Sequence, residues 1–148
     1  EKNPVLLCVM NGGLIFSGQI LPLLCFPLEL DYVHATRYRH ETRGSDLDWI
    51  VRPHNDLRGR TVLLLDDILD EGHTLAAIAE YCRQKGASEV VTAVLVEKLH
   101  LRKVTPGMRA DFTGIEVGDR FLFGYGLDYK GYWRNAPGIY GVNKEGQQ

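Results

Sequence analysis

The chain has 148 residues, of which 45% are hydrophobic and 24% charged, as is typical of one folded domain with a sizeable core. With 17 basic against 19 acidic side chains the formal net charge is -2, so there is no general positive field to hold nucleic acid or an anionic membrane. Three widely spaced cysteines, Cys8, Cys25 and Cys82, lie in apolar surroundings, which favours reduced thiols in a cytoplasmic protein over disulfides or a metal site.

The N-terminus carries no secretory signal. The chain begins at Glu1 without an initiator Met or a basic stretch, and the longest apolar segment, residues 14–26, is interrupted by polar residues and Pro22. A membrane span needs ~18 uninterrupted apolar residues. We therefore expect a single domain over residues 1–148 in a chain from which an N-terminal segment is missing.

The first third of the chain predicts a strand, a turn, a helix and a second strand. Residues 5–10 form a continuous apolar run, and the glycine turn after it precedes residues 14–24, which predict a buried helix. Residues 28–37 combine an alternating pattern with some β-branched and aromatic residues, which predicts a strand. Residues 38–48 are polar and aperiodic, as is typical of a functional loop.

The rest of the chain predicts the centre of a parallel sheet and its later strands. Residues 49–52 predict a short strand, and residues 60–66, with four successive apolar positions, predict a strand covered on both faces. Residues 74–85 predict a helix that Gly86 ends. Further strands are predicted over residues 89–97, 112–117 and 121–125. The expected fold is α/β, with a parallel sheet of about five strands flanked by helices.

Residues 62–75, VLLLDDILDEGHTL, join a buried strand to a polar turn that opens a helix. Ligands of parallel sheets bind beyond the carboxyl ends of the strands. Gly72 permits a tight turn, and the N–H groups of a helix N-terminus suit a phosphate. Asp66 and Asp67 would repel phosphate, but they suit sugar hydroxyls or a divalent cation shared with a polyphosphate. The pattern predicts a phosphorylated sugar.

Other interpretations of this turn fit less well. An acidic turn with Thr74 as a helix cap is the purely structural alternative, but three Asp, a Gly and a Thr at this spacing favour a binding role. The chain has neither G-x-x-x-x-G-K-[ST] nor G-x-G-x-x-G, which excludes those two nucleotide-binding motifs. Asp66-Asp67-Ile68 does not fit the D-x-D-x-[TV] pattern of aspartate phosphatases.

The same turn resembles the phosphoribosyl pyrophosphate (PRPP) motif of type I phosphoribosyltransferases: a hydrophobic strand, two acids, two hydrophobic residues, an Asp and a Gly-x-Thr loop. The resemblance extends over nearly the whole chain and points to the hypoxanthine-guanine branch of that family. Its landmarks are Met10-Asn11-Gly12-Gly13, Arg37-Tyr38, Val96-Glu97-Lys98, the FLFGYGLDY segment at 121–129 and Trp133-Arg134. It implies the type I phosphoribosyltransferase fold with a small hood over the base.

The resemblance also implies roles for individual residues. Asp66 and Asp67 would bind the ribose hydroxyls, and the 5-phosphate would be bound by Glu71, Gly72, His73, Thr74 and Leu75. Pyrophosphate would be bound by Gly12, Gly13 and Arg134, and the purine by Lys98, Phe121, Leu122 and Asp128. Mg²⁺ would be bound by Asp128, Asp66 and Asp67. A donor Lys selects a 6-oxo group over the amino group of adenine, whose protons would face another donor.

Asp70 is the candidate catalytic residue. The attacking purine nitrogen must lose a proton, and a well-placed carboxylate accelerates such a transfer roughly 10²- to 10⁴-fold. The larger share is expected from magnesium and fixed donors on the leaving pyrophosphate. The loop that begins at Arg37 and Tyr38 is expected to close over the site and exclude water.

Three residues depart from the usual pattern of the family. Asn11 stands where Lys or Arg is common, Glu71 replaces a small hydroxyl residue, and Arg37 replaces a Ser and is expected to restore the charge missing at Asn11. The five histidines lack metal-ligand spacing and are interpreted as surface or loop residues. They are His34, His40, His54, His73 and His100.

The sequence therefore predicts a magnesium-dependent purine salvage transferase. It would convert PRPP and hypoxanthine or guanine into IMP or GMP and pyrophosphate, as a cytoplasmic homo-oligomer, dimer or tetramer, without nucleic acid or membrane partners. Two alternatives stay open. In the first, the base is xanthine or another 6-oxopurine, since one Lys reads only the 6-position of the purine. In the second, the chain is a regulatory relative that binds PRPP or a nucleotide without turnover. The near-neutral charge and Asp70 disfavour the regulator.

Overall fold

A computed structural model describes residues 2–37 and 47–142. The main feature of the fold is a six-stranded sheet. Its strands are β1 (Val5–Val9), β2 (Glu29–Arg37), β3 (Leu47–Val51), β4 (Thr61–Leu69), β5 (Glu89–Lys98) and β6 (Phe112–Val117). The spatial order is β3-β2-β1-β4-β5-β6, and every pairing is parallel except that of β2 with β3. The predicted parallel α/β sheet is confirmed, with one antiparallel edge strand added.

Helix α2 (His73–Gln84) supplies one side of the core. The predicted apolar stripe of this helix is confirmed: it packs into a cluster with the inward-facing side chains of β1 and β4. The helical members are Leu75, Ile78, Ala79 and Cys82, and the strand members are Val5, Leu7, Val9, Val62 and Leu64. Burial of such side chains contributes about 1.5–3 kcal/mol each, which fixes the start of α2 against the end of β4.

Helix α1 (Leu14–Ile20) is shorter and more exposed than predicted. The chain continues as a 3₁₀ helix, Leu21–Leu23, because Pro22 supplies no N–H for a further α-helical turn. Ser17 is the buried residue of α1, while Leu14 is 52% exposed. The prediction of a buried helix over residues 14–24 is therefore wrong: the α-helix ends at Ile20, and within it only Ser17 is buried although the helix contacts β1 and β4.

Two strands differ from their predicted limits near the candidate site. β4 continues through Asp66 and Asp67 to Leu69, because it pairs alongside β5 as far as Leu69 opposite Glu97. The two acids thus lie inside the strand. β3 includes Leu47 and Asp48, which were predicted to belong to the preceding loop. The rest of that loop, residues 38–46 with Tyr38, lies outside the described residues.

A separate two-stranded antiparallel sheet follows β6 in the chain. It consists of β7 (Leu122–Phe123) and β8 (Tyr140–Gly141), and the ring of Phe123 stacks on that of Tyr140 at 5.5 Å. β7 is shorter than the predicted strand 121–125, because Gly124 adopts a φ of 94° and ends it. Strand β8 was not predicted. No helix within residues 2–37 and 47–142 is long and apolar enough to cross a membrane.

Candidate active site

A cleft of about 450 Å³ opens at the carboxyl ends of β1, β2 and β4. This edge of a parallel sheet is where ligands bind in such folds. The cleft is lined by most of the residues that the sequence assigned to the sugar, the phosphates, the metal, catalysis and the mobile loop. They are Gly12, Arg37, Asp66, Asp67, Asp70, Glu71, Gly72, His73, Thr74, Leu75, Asp128 and Arg134.

Asp66 and Asp67 lie next to each other in the floor of this cleft. Asp66 Oδ1 accepts the N–H of Asp67 at 2.8 Å, and Asp67 Oδ1 accepts the N–H of Ile68 at 2.7 Å. Burial, followed by the charge of Asp67, raises the pKa of Asp66 well above its usual range. Burial also raises the pKa of Asp67. The positive charge of Arg134 offsets part of the increase in both pKa values. Two crowded carboxylates of this kind favour a bound cation or hydroxyl donors.

The two glycines after β1 allow the loop to lie directly against the end of β4. A Cβ atom on Gly12 would overlap the carboxylate of Asp67, and one on Gly13 would come within 2.7 Å of the Val9 carbonyl oxygen. The N–H of Gly13 donates to that same carbonyl at 2.8 Å. In this conformation Gly13 therefore cannot offer its N–H to pyrophosphate as expected, whereas the Gly12 N–H has no partner among the described residues.

The start of helix α2 has the backbone geometry that a phosphate cradle requires. Gly72 precedes the helix with a φ of +88°, a conformation that favours glycine. The first helical hydrogen bond runs from the N–H of Ala76 to the carbonyl of Gly72 at 2.9 Å. Helical geometry leaves the earlier N–H groups without an intrahelical acceptor. These belong to His73, Thr74 and Leu75.

Glu71 does not direct its charge into the cradle. Its Oε2 lies 3.1 Å from Nε2 of His73, and its Oε1 lies 4.0 Å from Nε of Arg102. Two cationic or potentially cationic groups therefore hold the carboxylate on the side of the turn. This geometry agrees with the expectation that an acid is tolerated in the phosphate loop because its side chain points away.

Arg134 and Asp128 join the C-terminal segment to the cleft. Arg134 Nη1 donates to the Gly126 carbonyl at 2.7 Å, and its Nη2 lies 3.7 Å from Asp128 Oδ1. A Cβ atom on Gly126 would overlap the carbonyl oxygen of Gly12. The segment therefore packs directly on the loop after β1, and it brings one cation and one carboxylate to the same side of the cleft.

Asp70 is held by two side chains from the end of β5 and the turn after it. Its Oδ1 lies 2.7 Å from His100 Nε2, and its Oδ2 accepts from Lys98 Nζ at 3.4 Å. Burial raises the pKa of Asp70, but the hydrogen bond from His100 and the charge of Lys98 lower it further, and the net pKa is below the usual value. The interpretation of His100 as a surface or loop residue is right about the loop, since His100 follows the end of β5, but its side chain is only 5% exposed and does not lie at the surface.

Lys103 is a second residue whose position the sequence did not indicate. Its Nζ donates to the carbonyls of Asp70 at 2.5 Å, Lys98 at 2.6 Å and Leu69 at 3.4 Å. One ammonium group thus ties the end of β4 to the end of β5 through the backbone of Asp70 and Lys98. A lysine in a polar loop carries no signal that distinguishes this role from an exposed side chain.

We expect Lys103→Met to lower the unfolding free energy by about 1–3 kcal/mol, because it keeps the aliphatic stem but leaves buried carbonyls without their donor. The matched control is Lys2→Met, which removes an exposed ion pair with Glu89 that is worth about 0–1 kcal/mol. Urea denaturation of both variants measures the difference. Equal losses would show that Lys103 is no more than a surface lysine.

The expected purine residues are only partly gathered at this cleft. Lys98 is buried beside Asp70, whereas Phe121 is 41% exposed and meets Tyr129 edge-on at 5.7 Å. In the β7–β8 pair the N–H of Val142 donates to the Phe121 carbonyl. Because bonded and non-bonded pairs alternate in antiparallel sheets, the next residue, Leu122, directs its N–H and C=O away from β8. This backbone edge is thus open to a ligand.

Comparison with known proteins places this site in a family. A profile of the phosphoribosyl transferase domain matches residues 1–130. The chain is similar to the hypoxanthine-guanine phosphoribosyltransferase of Streptococcus pneumoniae, with 34% identity over 97% of this chain and 79% of the relative. It is also similar to the hypoxanthine-guanine-xanthine phosphoribosyltransferase of Tritrichomonas foetus, with 30% identity over 98% of this chain and 78% of the relative.

A solved structure agrees with these relatives. The crystal structure of a hypoxanthine phosphoribosyltransferase from Staphylococcus aureus, 26% identical, matches with a TM-score of 0.90 over 99% of this chain and 79% of that chain. The family profile, the similarity at more than 30% identity over most of both sequences and the shared fold all agree. This chain belongs to the phosphoribosyltransferase family, in its hypoxanthine-guanine branch.

Proposed function

We propose that this protein transfers the phosphoribosyl group of PRPP to hypoxanthine or guanine, and so forms IMP or GMP and pyrophosphate in purine salvage. The observation that carries the proposal is one cleft that joins the Asp66-Asp67 pair to the N-terminus of α2, with Asp70 next to buried Lys98 at its end. Carboxylates for sugar hydroxyls, amides for a phosphate and a base next to an oxo-selective donor are the groups that this reaction needs.

PRPP fits the cleft by charge and by donor type. Asp66 and Asp67 accept hydrogen bonds from the ribose hydroxyls, and the free N–H groups at the start of α2 bind the 5-phosphate. The N–H of Gly12 and the guanidinium of Arg134 meet the pyrophosphate. Since pyrophosphate gains negative charge as it leaves, these donors stabilise the transition state more than the bound substrate.

Magnesium fits the oxygen donors of the same cleft. The crowded Asp66 and Asp67 carboxylates, with pKa values raised by burial, and the carboxylate of Asp128 are ligands that Mg²⁺ prefers. When bound, the ion would neutralise charge on the leaving pyrophosphate. Asp128 is half-buried, and its Oδ2 accepts the N–H of Gly131 at 2.9 Å, which orients its carboxylate.

Asp70 serves as the general base in this proposal. It accepts the proton that the purine nitrogen loses as the new glycosidic bond forms. Lys98 donates to the 6-oxo group of the base, with the ring against Phe121 and its edge against the backbone of Leu122. Lys98 contacts Asp70 at 3.4 Å, a long hydrogen bond that the lysine can exchange for the purine oxygen.

Xanthine is the second candidate base. The relative from Tritrichomonas foetus is named for xanthine as well as hypoxanthine and guanine, and a donor at the 6-position does not distinguish the three. Steady-state assays with PRPP and hypoxanthine, guanine, xanthine or adenine test the proposal directly. We expect turnover with 6-oxopurines and little with adenine; PRPP binding without consumption of any base would instead favour the regulatory relative.

Arg37 lines the cleft at the end of β2 and is exposed. The loop after it is proposed to close over bound PRPP and exclude water, and Arg37 then supplies the cation that Asn11 does not. We expect Arg37→Ala to raise the KM for PRPP several-fold with little change in kcat. Steady-state kinetics measure this, with Arg52→Ala as an exposed control outside the cleft, and an unchanged KM would contradict the compensation.

The proposed setting is a homo-oligomer, dimer or tetramer, in the cytoplasm. Cys8 and Cys82 are buried free thiols, and Cys25 is an exposed one, as expected in a reducing compartment. Sedimentation velocity in the presence of reductant tests the oligomer, and a purely monomeric, active protein would contradict it.

A further inference from the structure

His100 makes a hydrogen bond from each side of its ring. Its Nδ1 accepts the N–H of Arg102 at 3.0 Å, and its Nε2 lies 2.7 Å from Asp70 Oδ1. Because Nδ1 is an acceptor, the proton of the neutral ring lies on Nε2, which therefore donates to the carboxylate. With a side chain only 5% exposed, the ring has one tautomer and one orientation toward Asp70.

Lys98 and His100 hold Asp70 unequally. Lys98 Nζ is 3.4 Å from Oδ2, whereas His100 Nε2 is 2.7 Å from Oδ1. The proposed function requires Lys98 to turn to the 6-oxo group of the base, which removes one of the two side-chain contacts of Asp70. His100 belongs to the turn and has no role toward the base, so its hydrogen bond persists when Lys98 moves.

We propose that His100 is a positioning residue for the general base: it keeps the Asp70 carboxylate oriented toward the purine nitrogen after Lys98 has moved to the purine oxygen. The inference rests on the proposed function, since it requires Asp70 to accept the purine proton. His100 itself touches neither substrate nor reacting atom, and it acts through the orientation and the charge of Asp70.

Other charged groups surround this pair, and they stay unchanged in the test below. They are Lys98, Lys103, Glu71, Arg102 and Asp119. Asp119 lies close enough to Asp70 and His100 for the three side chains to form a metal site. However, the guanidinium of Arg102 pairs with Asp119 at 2.7 Å, and the backbone N–H of Arg102 donates to Nδ1 of His100. The ring therefore serves as a hydrogen-bond donor to Asp70.

The hydrogen bond from His100 also affects the titration of Asp70. It opposes the effect of burial and helps to hold the Asp70 pKa below the usual value. A general base must be ionised to accept a proton. Loss of the donor raises the Asp70 pKa, so the rate begins to fall at a higher pH as the solution is acidified.

Two amide replacements separate the two hydrogen bonds of the ring. In His100→Gln the longer side chain places its amide NH₂ near the position of Nε2 and keeps the donor to Asp70. In His100→Asn the amide oxygen reaches the position of Nδ1 and keeps the bond to Arg102, but the side chain is too short to reach Asp70. His54→Asn is the control, since His54 is exposed and outside the cleft.

The measurements are the single-turnover rate with hypoxanthine, its pH profile and the affinity for PRPP, with Asp70→Asn as a reference. We expect His100→Asn to be slower by about ten- to a hundredfold, with unchanged PRPP affinity and an acid limb moved to higher pH, while His100→Gln and His54→Asn stay close to the parent protein. Equal rates and profiles for the Asn and Gln variants would overturn the inference if Asp70→Asn is slow. If Asp70→Asn is itself as fast as the parent, the role of Asp70 in the proposed function fails, and the inference fails with it.

Discussion

Asp70→Asn is expected to slow the transfer step by about 10²- to 10⁴-fold while leaving the affinity for PRPP nearly unchanged. The amide has the size of the carboxylate and its one oxygen still accepts from His100, but its NH₂ group cannot accept from Lys98 or take a proton from the purine. In the proposed function PRPP is held by other groups that line the cleft, chiefly Asp66, Asp67 and the first turn of α2. The substitution is therefore expected to lower the rate of the transfer step and not the affinity for PRPP.

Single-turnover kinetics are the right measurement, because slow product release can hide a change in the chemical step. Titration calorimetry gives the PRPP affinity of the same variant. Asp56→Asn is the matched control, since Asp56 is exposed and pairs with Arg58 at the surface. Parallel losses in rate and PRPP affinity for Asp70→Asn would remove its role as a base and make it a binding residue.

Gly12→Ala is expected to raise the KM for PRPP by about tenfold or more, equivalent to about 1.4 kcal/mol, in a protein that still folds. The new Cβ would occupy the space of the Asp67 carboxylate, which the N–H of Ile68 holds at 2.7 Å. The Asp67 side chain is short and can rotate away from the new methyl group, so the fold survives. The carboxylate then leaves the position from which it would meet the ribose in the proposed function.

Gly18→Ala is the matched control for this change. Gly18 lies within α1 with open space around it, so an added methyl group meets no atom within 4 Å. Alanine there is expected to stabilise the helix by about 0.5–1 kcal/mol without changing the kinetics. Thermal melts and PRPP saturation curves of both variants complete the test. A Gly12→Ala enzyme with the parent KM would mean that the loop has room for a side chain.

Local pattern was sufficient where a segment has one clear period or one continuous apolar run. The stripe of α2 and the limits of β6 follow from such patterns and are confirmed. Helix α1 is different, because its apolar residues surround the axis and the pattern does not tell which of them finds a partner. Leu14 is accordingly half exposed although it belongs to an apolar run.

The PRPP motif was likewise visible in sequence, because its groups follow one another within a single strand, turn and helix start. His100 and Lys103 were not, since each acts on Asp70 from about 30 residues away along the chain. Their hydrogen bonds exist only because β5 pairs beside β4 and brings the two strand ends together. An isolated histidine or lysine in a polar loop has the same sequence signature whether it is exposed or buried.

The sequence by itself determined the order of the six main strands and helix α2 along the chain, the family and the residue types that line the cleft, because these depend on short-range spacing and residue type. Only the tertiary structure decided how far each strand extends and which side chains hold Asp70. The physical reason is that hydrogen bonds between distant segments depend on strand pairing and packing, which the local pattern of residues does not contain.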